Sequence, residues 1–246
     1  MNVLDLFSGL GGFSLAARRV GWTTIGFSEV DEHCCQVLKK HWPDVPNYGD
    51  IRDINGYALK GPIDIITAGW PCQDISIAGK GAGLDGERSG LYAESIRLIG
   101  EIRPRFAVME NVTALLSRGM GRVLGDLAEV GYDCEWHCIP ASAIGGIQNR
   151  DRVWITAYPS GDGVQRLLTR KDISQSGQGW SCRQEDLQQV YANPLGGNGW
   201  PEPLLCGSNG RVSNWVDRIR GLGNSIVPQI AEVIFQSIKE RDNVSQ

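Results

Sequence analysis

NVLDLFSGLGGFSLAARRV, residues 2–20, is the stretch whose reading decides the fold. An apolar strand over 2–6 runs into the turn Ser8-Gly9-Leu10-Gly11-Gly12, and 13–20 continues as a helix with Leu15 and Ala16 facing inward. Glycines permit a tight turn and let a ligand approach backbone at a helix N-terminus. A second strand over 24–28 ends at an acid, Glu29. Its spacing from the turn, about 20 residues, is that of a carboxylate accepting from ribose hydroxyls. Asp50 follows a third expected strand end, where it can take an adenine amino group. Alone, these features indicate a nucleoside-containing cofactor. NAD fits as well as S-adenosylmethionine, and a glycine turn with no ligand also remains open.

Outward from this unit, the first 155 residues alternate short apolar runs with helical spacing, which is the pattern of βαβ units. Strands are expected over 63–68, 106–109, 135–140 and 152–157, and helices over 31–41, 94–102 and 120–130. The fold class is therefore α/β, a doubly wound and mostly parallel sheet with helices on both faces. After Tyr158 the chain turns rich in Gly, Ser, Gln, Asn and Pro, yet holds Trp180, Tyr191 and Trp200, too many aromatics for a disordered linker. A helical pattern returns over 227–239. The expected organisation is a catalytic and cofactor-binding domain over 1–157, a short loop-rich region over 158–220, and a C-terminal segment over 221–246 that returns to the first domain.

Composition narrows the classes. With 41% hydrophobic and 21% charged residues the chain reads as an ordinary soluble globular protein. No apolar run approaches the roughly 18 residues of a membrane span. The start lacks the basic region of a secretory leader, so a cytoplasmic protein is expected. Seven cysteines without CxxC spacing argue against a disulfide framework and a zinc ribbon. Cys134, His137 and Cys138 lack further nearby ligands, so no metal is expected. The net charge of −4 neither advertises nor excludes a nucleic-acid partner. Between Gln148 and Arg220 nine basic residues face seven acids, a local balance of +2.

Four further segments carry chemistry. Gly69-Trp70-Pro71-Cys72-Gln73 follows a buried strand, and open α/β sheets bind ligands beyond the carboxyl ends of their strands. A cysteine there is placed to react once a cation or helix N-terminus favours its thiolate. Glu110-Asn111-Val112 sits at another strand end, an expensive place for an acid with only a structural role. It can serve as acid or hydrogen-bond partner to a heteroaromatic ring nitrogen; helix capping is the plainer alternative. In Gln148-Asn149-Arg150-Asp151-Arg152 an extended segment sends both arginines from one face, suiting phosphate, a thiolate or a base carbonyl. A solvated charge cluster fits too. Gly223-Asn224-Ser225-Ile226-Val227-Pro228-Gln229 leads into the last helix, where Asn224 and Ser225 can cap the helix or bond a cofactor.

Together and in this order, these motifs resemble the cytosine-C5 DNA methyltransferase family, in its compact bacterial or phage form, over nearly the whole chain. The resemblance implies a Rossmann-like S-adenosylmethionine-dependent methyltransferase fold with a small target-recognition domain. It implies S-adenosyl-L-methionine held by Phe7, Ser8, Gly9, Gly11, Gly12, Glu29, Val30, Asp50, Ile51, Pro71, Asn224, Ser225 and Ile226. Cys72 becomes the nucleophile, Glu110 the catalytic acid, and Arg152 with Arg150 the holders of the base carbonyl or nearby backbone. Gln73, Gln148, Arg150 and Arg152 face double-stranded DNA. A monomer without metal or membrane, in a bacterial cell or phage-infected host, completes the expectation. Trp70 stands where the family usually shows Phe or Pro, expected to alter the cofactor-side wall. Val216-Asp217-Arg218-Ile219-Arg220 stands in for the family's arginine-bearing motif, and the stretch between Ala157 and Leu222 is short for target recognition. The competing readings are an RNA cytosine methyltransferase, a NAD-dependent oxidoreductase and a non-catalytic DNA-binding regulator.

Overall fold

The computed structural model describes residues 1–59, 61–71, 91–144, 150–161 and 225–244. Strand β1 (Asn2–Leu6) is followed by helix α1 (Gly12–Arg19), β2 (Thr23–Ser28) and α2 (Glu32–His41). Then come β3 (Ile65–Ala68), α3 (Leu91–Ile102), β4 (Phe106–Val112), the short α4 (Leu115–Arg118) and α5 (Met120–Glu129). Next are β5 (Tyr132–Pro140) and β6 (Asp151–Pro159), and the described chain ends in a helix, Pro228–Val244, here α6.

The six strands form one sheet in the order β2-β1-β3-β4-β6-β5. Pairing is parallel from β2 through β4, and β6 runs antiparallel to both of its neighbours. The chain winds one way from β1 to β2 and the other way to β3 and β4. Their carboxyl ends therefore flank a switch point, the usual mouth of a ligand crevice in such sheets.

Alternation along each strand builds a core on both faces. Leu4, Leu6, Ile66, Ala68, Ala107, Met109, Val153 and Ile155 point to one side, against Tyr92, Ile96 and Ile99 of α3 and Val123 and Leu127 of α5. Val3, Ile65, Phe106, Val108 and Trp154 point to the other, against Phe13, Ala16 and Ala17 of α1 and Ile230, Ile234 and Phe235 of α6. Phe235 lies 4.8 Å from Trp22 and Phe13 meets Trp154 edge-on at 5.8 Å, ring centre to ring centre. Phe13 and Phe235 also lie 6.3 Å apart, ring centre to ring centre, and that contact joins the last helix to the first. This is the Rossmann-like layered architecture expected from the alternating pattern.

Several element boundaries differ from expectation, among them α3, which begins at Leu91, and β3, which begins at Ile65. β4 continues through Glu110 to Val112, so the acid is paired inside the sheet and does not hang from a loop. β5 begins at Tyr132, three residues early. No third strand ends at Asp50, since none lies between α2 and that residue. Pro43 and Pro46 lack the N–H groups a ladder needs, so that segment makes a single bridge, Phe27 to Asn47. It then turns into a 3-10 segment, Ile51–Asp53, capped by the Asp50 side chain.

Candidate active site

The glycine turn is built on strained backbone. Phe7 and Gly9 both take φ 52° and Gly11 takes 79°, the left-handed region that costs a Cβ-bearing residue such as Phe7 of order 1 kcal/mol or more. A Cβ on Gly11 would lie 2.7 Å from the Trp42 ring, and one on Gly12 would lie 2.7 Å from Ile226. Protein side chains thus use the space at those two glycines. At Gly9, among the described residues, an added Cβ would meet only the Phe7 carbonyl oxygen, at 4.0 Å.

Beneath the turn lies Asp5, fully buried at 0% exposure. Ser14 Oγ donates to its Oδ2 at 2.7 Å and Thr67 Oγ1 to its Oδ1 at 2.8 Å, which ties β1 to α1 and to β3. Ser8 Oγ donates to the Asp5 carbonyl at 2.6 Å, fastening the turn to the same residue. Burial pushes the Asp5 carboxyl from 3.8 up to about 7, against the two hydroxyl donors that lower it. Sequence reasoning passed over Asp5, although an acid inside an apolar strand was the available signal.

Glu29 reaches back over the turn. Its Oε2 accepts from Gly9 N–H at 2.7 Å and its Oε1 from Val30 and Asp31 N–H, both at 2.8 Å. Val30 beside it is 70% exposed, an apolar face turned outward at the end of β2. Asp50 is engaged by Arg52, whose Nε donates to Oδ1 at 2.9 Å, and this bond holds its carboxyl down at about 2. Ile51 turns its side chain into the core with Ile54. Arg97 of α3 donates to the carbonyls of Ile51 and Ile54 at 3.1 and 3.0 Å, an anchor that no motif had indicated.

At the far side, Glu110 is 6% exposed and lies opposite Trp154 in the sheet. Because β6 is antiparallel, its beginning meets the end of β4, and Arg152 stands opposite Val112. Arg152 Nε comes to 3.0 Å from Glu110 Oε1. Arg150, just ahead of β6, donates from Nη2 to the Ser225 carbonyl at 2.6 Å and adds its charge to the field at Glu110. Burial lifts the Glu110 carboxyl from 4.5 to about 7, against the lowering pull of Arg152 and then Arg150. An acid so placed can hold a proton near neutrality.

Glycine again makes room. A Cβ on Gly69 would lie 3.3 Å from Ile226 and 3.7 Å from Glu110 Oε2, so the end of β3 passes directly beside the acid. Asn111 Nδ2 donates to the Trp70 carbonyl at 3.2 Å while its Oδ1 accepts from Val112 N–H at 2.8 Å. It therefore bolts β4 to the chain just past β3, at Trp70, and caps no helix. Trp70, expected on the cofactor-side wall, is turned into the core at 2% exposure, 5.1 Å from the Tyr92 ring. Its bulk is satisfied by that packing. Ser225 Oγ donates to the Ile226 carbonyl at 3.1 Å.

The structure thus gathers Phe7 to Gly12, Glu29, Pro71, Glu110, Arg150, Arg152, Ser225 and Ile226 around the carboxyl ends of β1 to β4. Cys72, Gln73, Gln148 and Asn224 lie outside the described residues, as does most of 158–220. Among the described residues no cluster of three metal-ligating side chains occurs, and no helix is long and apolar enough to cross a membrane.

A family model for C-5 cytosine-specific DNA methylases matches residues 1–190. The chain belongs to that family. The glycine turn and Glu29 lie within the matched residues, and the oxidoreductase reading that they had left open lapses. A Bacillus subtilis type II methyltransferase, M2.BsuMI, is 33% identical over 225 residues, covering 85% of this chain and 57% of that relative. The chain spans about half the length of the curated relatives it matches. Among solved structures, a prophage-encoded Escherichia coli protein described as a DNA modification methyltransferase superposes with TM-score 0.57 at 26% identity, covering 68% of this chain and 49% of that one. Spodoptera frugiperda DNMT2, at 19% identity, has TM-score 0.57 and covers 69% and 53%, a likeness of fold alone.

Proposed function

We propose that this methylase-family chain transfers a methyl group from S-adenosylmethionine to C5 of a cytosine extruded from double-stranded DNA. The observation that carries the reading is the Glu110–Arg152 pair, an acid held near neutrality beside a cation, at the strand ends that also carry the glycine turn and Pro71. The cradle fits the methyl donor: open backbone at Gly9, an outward apolar face at Val30, and a Glu29 carboxylate with acceptor capacity left for ribose hydroxyls. Phe7, Ser8, Gly11, Gly12, Asp50, Ile51, Pro71, Asn224, Ser225 and Ile226 complete its surroundings. When bound, the donor supplies an electrophilic methyl on a sulfonium.

The remaining chemistry belongs to the protein. A cytosine must leave the stack before its ring is reachable. Cys72 attacks C6 as a thiolate, forming an S–C bond, while Glu110 delivers its proton to N3 and so takes up the charge the ring gains. Arg152, with Arg150, holds the base carbonyl and keeps Glu110 oriented. With the donor bound, C5, now an enamine carbon, would take the methyl group as its bond to the donor sulfur breaks; the C5 proton then passes to water, N3 returns its proton to Glu110, and the restored double bond expels the Cys72 sulfur as thiolate. Gln73 and Gln148 face the DNA, and 158–220 supplies target recognition. The protein acts as a cytoplasmic monomer of a bacterial cell or phage-infected host.

An oligonucleotide carrying 5-fluorocytosine tests this, because fluorine at C5 blocks the final elimination. Wild-type protein with S-adenosylmethionine yields a covalent adduct stable to denaturation, and Cys72→Ala yields none. Absence of an adduct with wild-type protein and bound DNA overturns the reading. Preferential methylation of tRNA over duplex DNA reassigns the substrate.

A further inference from the structure

One side chain outside every motif ties the two halves of the cofactor cradle together. Asn47 Oδ1 accepts from Glu29 N–H at 3.1 Å and its Nδ2 donates to the Glu29 carbonyl at 3.0 Å, so one amide grips Glu29 from both sides. The same Oδ1 accepts from Gly49 N–H at 3.2 Å, the first residue of the Gly49-Asp50-Ile51 segment. Nδ2 also lies 3.2 Å from Cys35 Sγ, whose thiol donates to the Glu29 carbonyl at 3.3 Å. Around this node the backbone is docked on β2. Phe27 N–H donates to the Pro46 carbonyl at 2.9 Å, Tyr48 N–H to the Phe27 carbonyl at 2.8 Å, and Ser28 Oγ to the Gly49 carbonyl at 2.8 Å.

We propose that Asn47 is a positioning residue for the ribose of the methyl donor, acting through Glu29. The inference rests on reading Glu29 as the ribose acid. A carboxylate offers about four acceptor directions, and Gly9, Val30 and Asp31 N–H already occupy three of them. Where the remaining direction points depends on the Glu29 backbone, which Asn47 holds in register with the adenine segment. Only a planar amide carries donor and acceptor together in this way; Asp offers acceptors alone and Ala neither. Asn47 is exposed and belongs to no core cluster, so its truncation leaves the packed layers intact.

The test compares equilibrium binding of S-adenosylhomocysteine with that of its 2′,3′-dideoxyribose analogue, by calorimetry on the whole chain. Wild-type protein prefers the ribose form, and Glu29→Gln reduces that preference. Asn47→Ala lowers affinity for S-adenosylhomocysteine roughly three- to tenfold, the worth of one or two exposed hydrogen bonds, and leaves analogue binding unchanged. Asn47→Asp falls between, having kept the acceptor. Equal weakening of both ligands by Asn47→Ala, or an unaltered preference, overturns the proposal while the Glu29 reading stands. Should Asn47→Ala fail to fold, an unaltered preference in Asn47→Asp overturns it equally. A preference that survives Glu29→Gln removes the ribose reading, and the positioning role with it.

Discussion

Two buried carboxylates, Asp5 on β1 and Glu110 on β4, share a raised proton affinity in different surroundings. For Asp5 under the glycine turn and Glu110 beside Gly69, burial is the main cause that raises the carboxyl to about 7. Their partners differ. Asp5 is closed off by two hydroxyl donors from α1 and β3, a neutral setting that welds three elements together. Glu110 is met by the charges of Arg152 and Arg150, with its second oxygen beside the Cβ-free lane at Gly69. Neutral donors around a closed acid make a strut. Cations around an acid beside Gly69 are the setting of the proton donor proposed above.

The largest expected effect separates these roles by activity. Glu110→Gln lowers kcat roughly 10²- to 10⁴-fold, the usual worth of a general acid, with the thermal midpoint held or raised because an ionisable group leaves the interior. Single-turnover methyl transfer and a melting curve check both halves. An Asp5 variant that matched this kinetic loss at unchanged stability would erase the distinction.

Next comes stability. Asp5→Ala leaves the Ser14 and Thr67 hydroxyls buried without their acceptor, a cost of about 2–4 kcal/mol, visible as a lower urea midpoint. The surviving folded fraction keeps its kcat at saturating donor.

The pH dependence sharpens the same contrast. Both acids are raised on folding, from 3.8 and 4.5 to about 7. Their contribution to stability is thus fully present below about pH 4 and is lost as pH rises through 7, because the unfolded chain releases these protons first. Urea unfolding between pH 4 and 8 should show this decline. Asp5→Asn and Glu110→Gln each flatten part of it, and only Glu110→Gln also alters the alkaline limb of the methylation profile. The smallest effect is expected from the cations. Arg152→Lys keeps a charge but loses the fork, slowing methyl transfer about tenfold, and Arg150→Lys, whose contact is a carbonyl, slows it less.

Much of this was legible in the residues themselves. Apolar alternation located nearly every strand, and the glycine turn, Glu29 and Glu110 stood out because each departs from what a plain strand end requires. Asn47 and Asn111 did not, since an asparagine in a polar stretch looks like any turn residue until its two hydrogen-bond partners are near. Asp50 was assigned to a strand end because the bond from its own Arg52 and the proline-broken ladder before it have no signature in apolar periodicity.

Sequence alone determined the layered α/β architecture, the turn at 7–12 and the candidate acid, because periodicity, glycine and a carboxylate at a strand end each act locally. Only tertiary structure decided that β6 runs backwards beside β4. That reversal brings Arg152 to Glu110 across 42 positions of chain, and no local pattern of residues specifies which strand will pair with which. Pairing is settled by the two cores closing together. The charge that tunes the acid therefore exists only once the fold is complete.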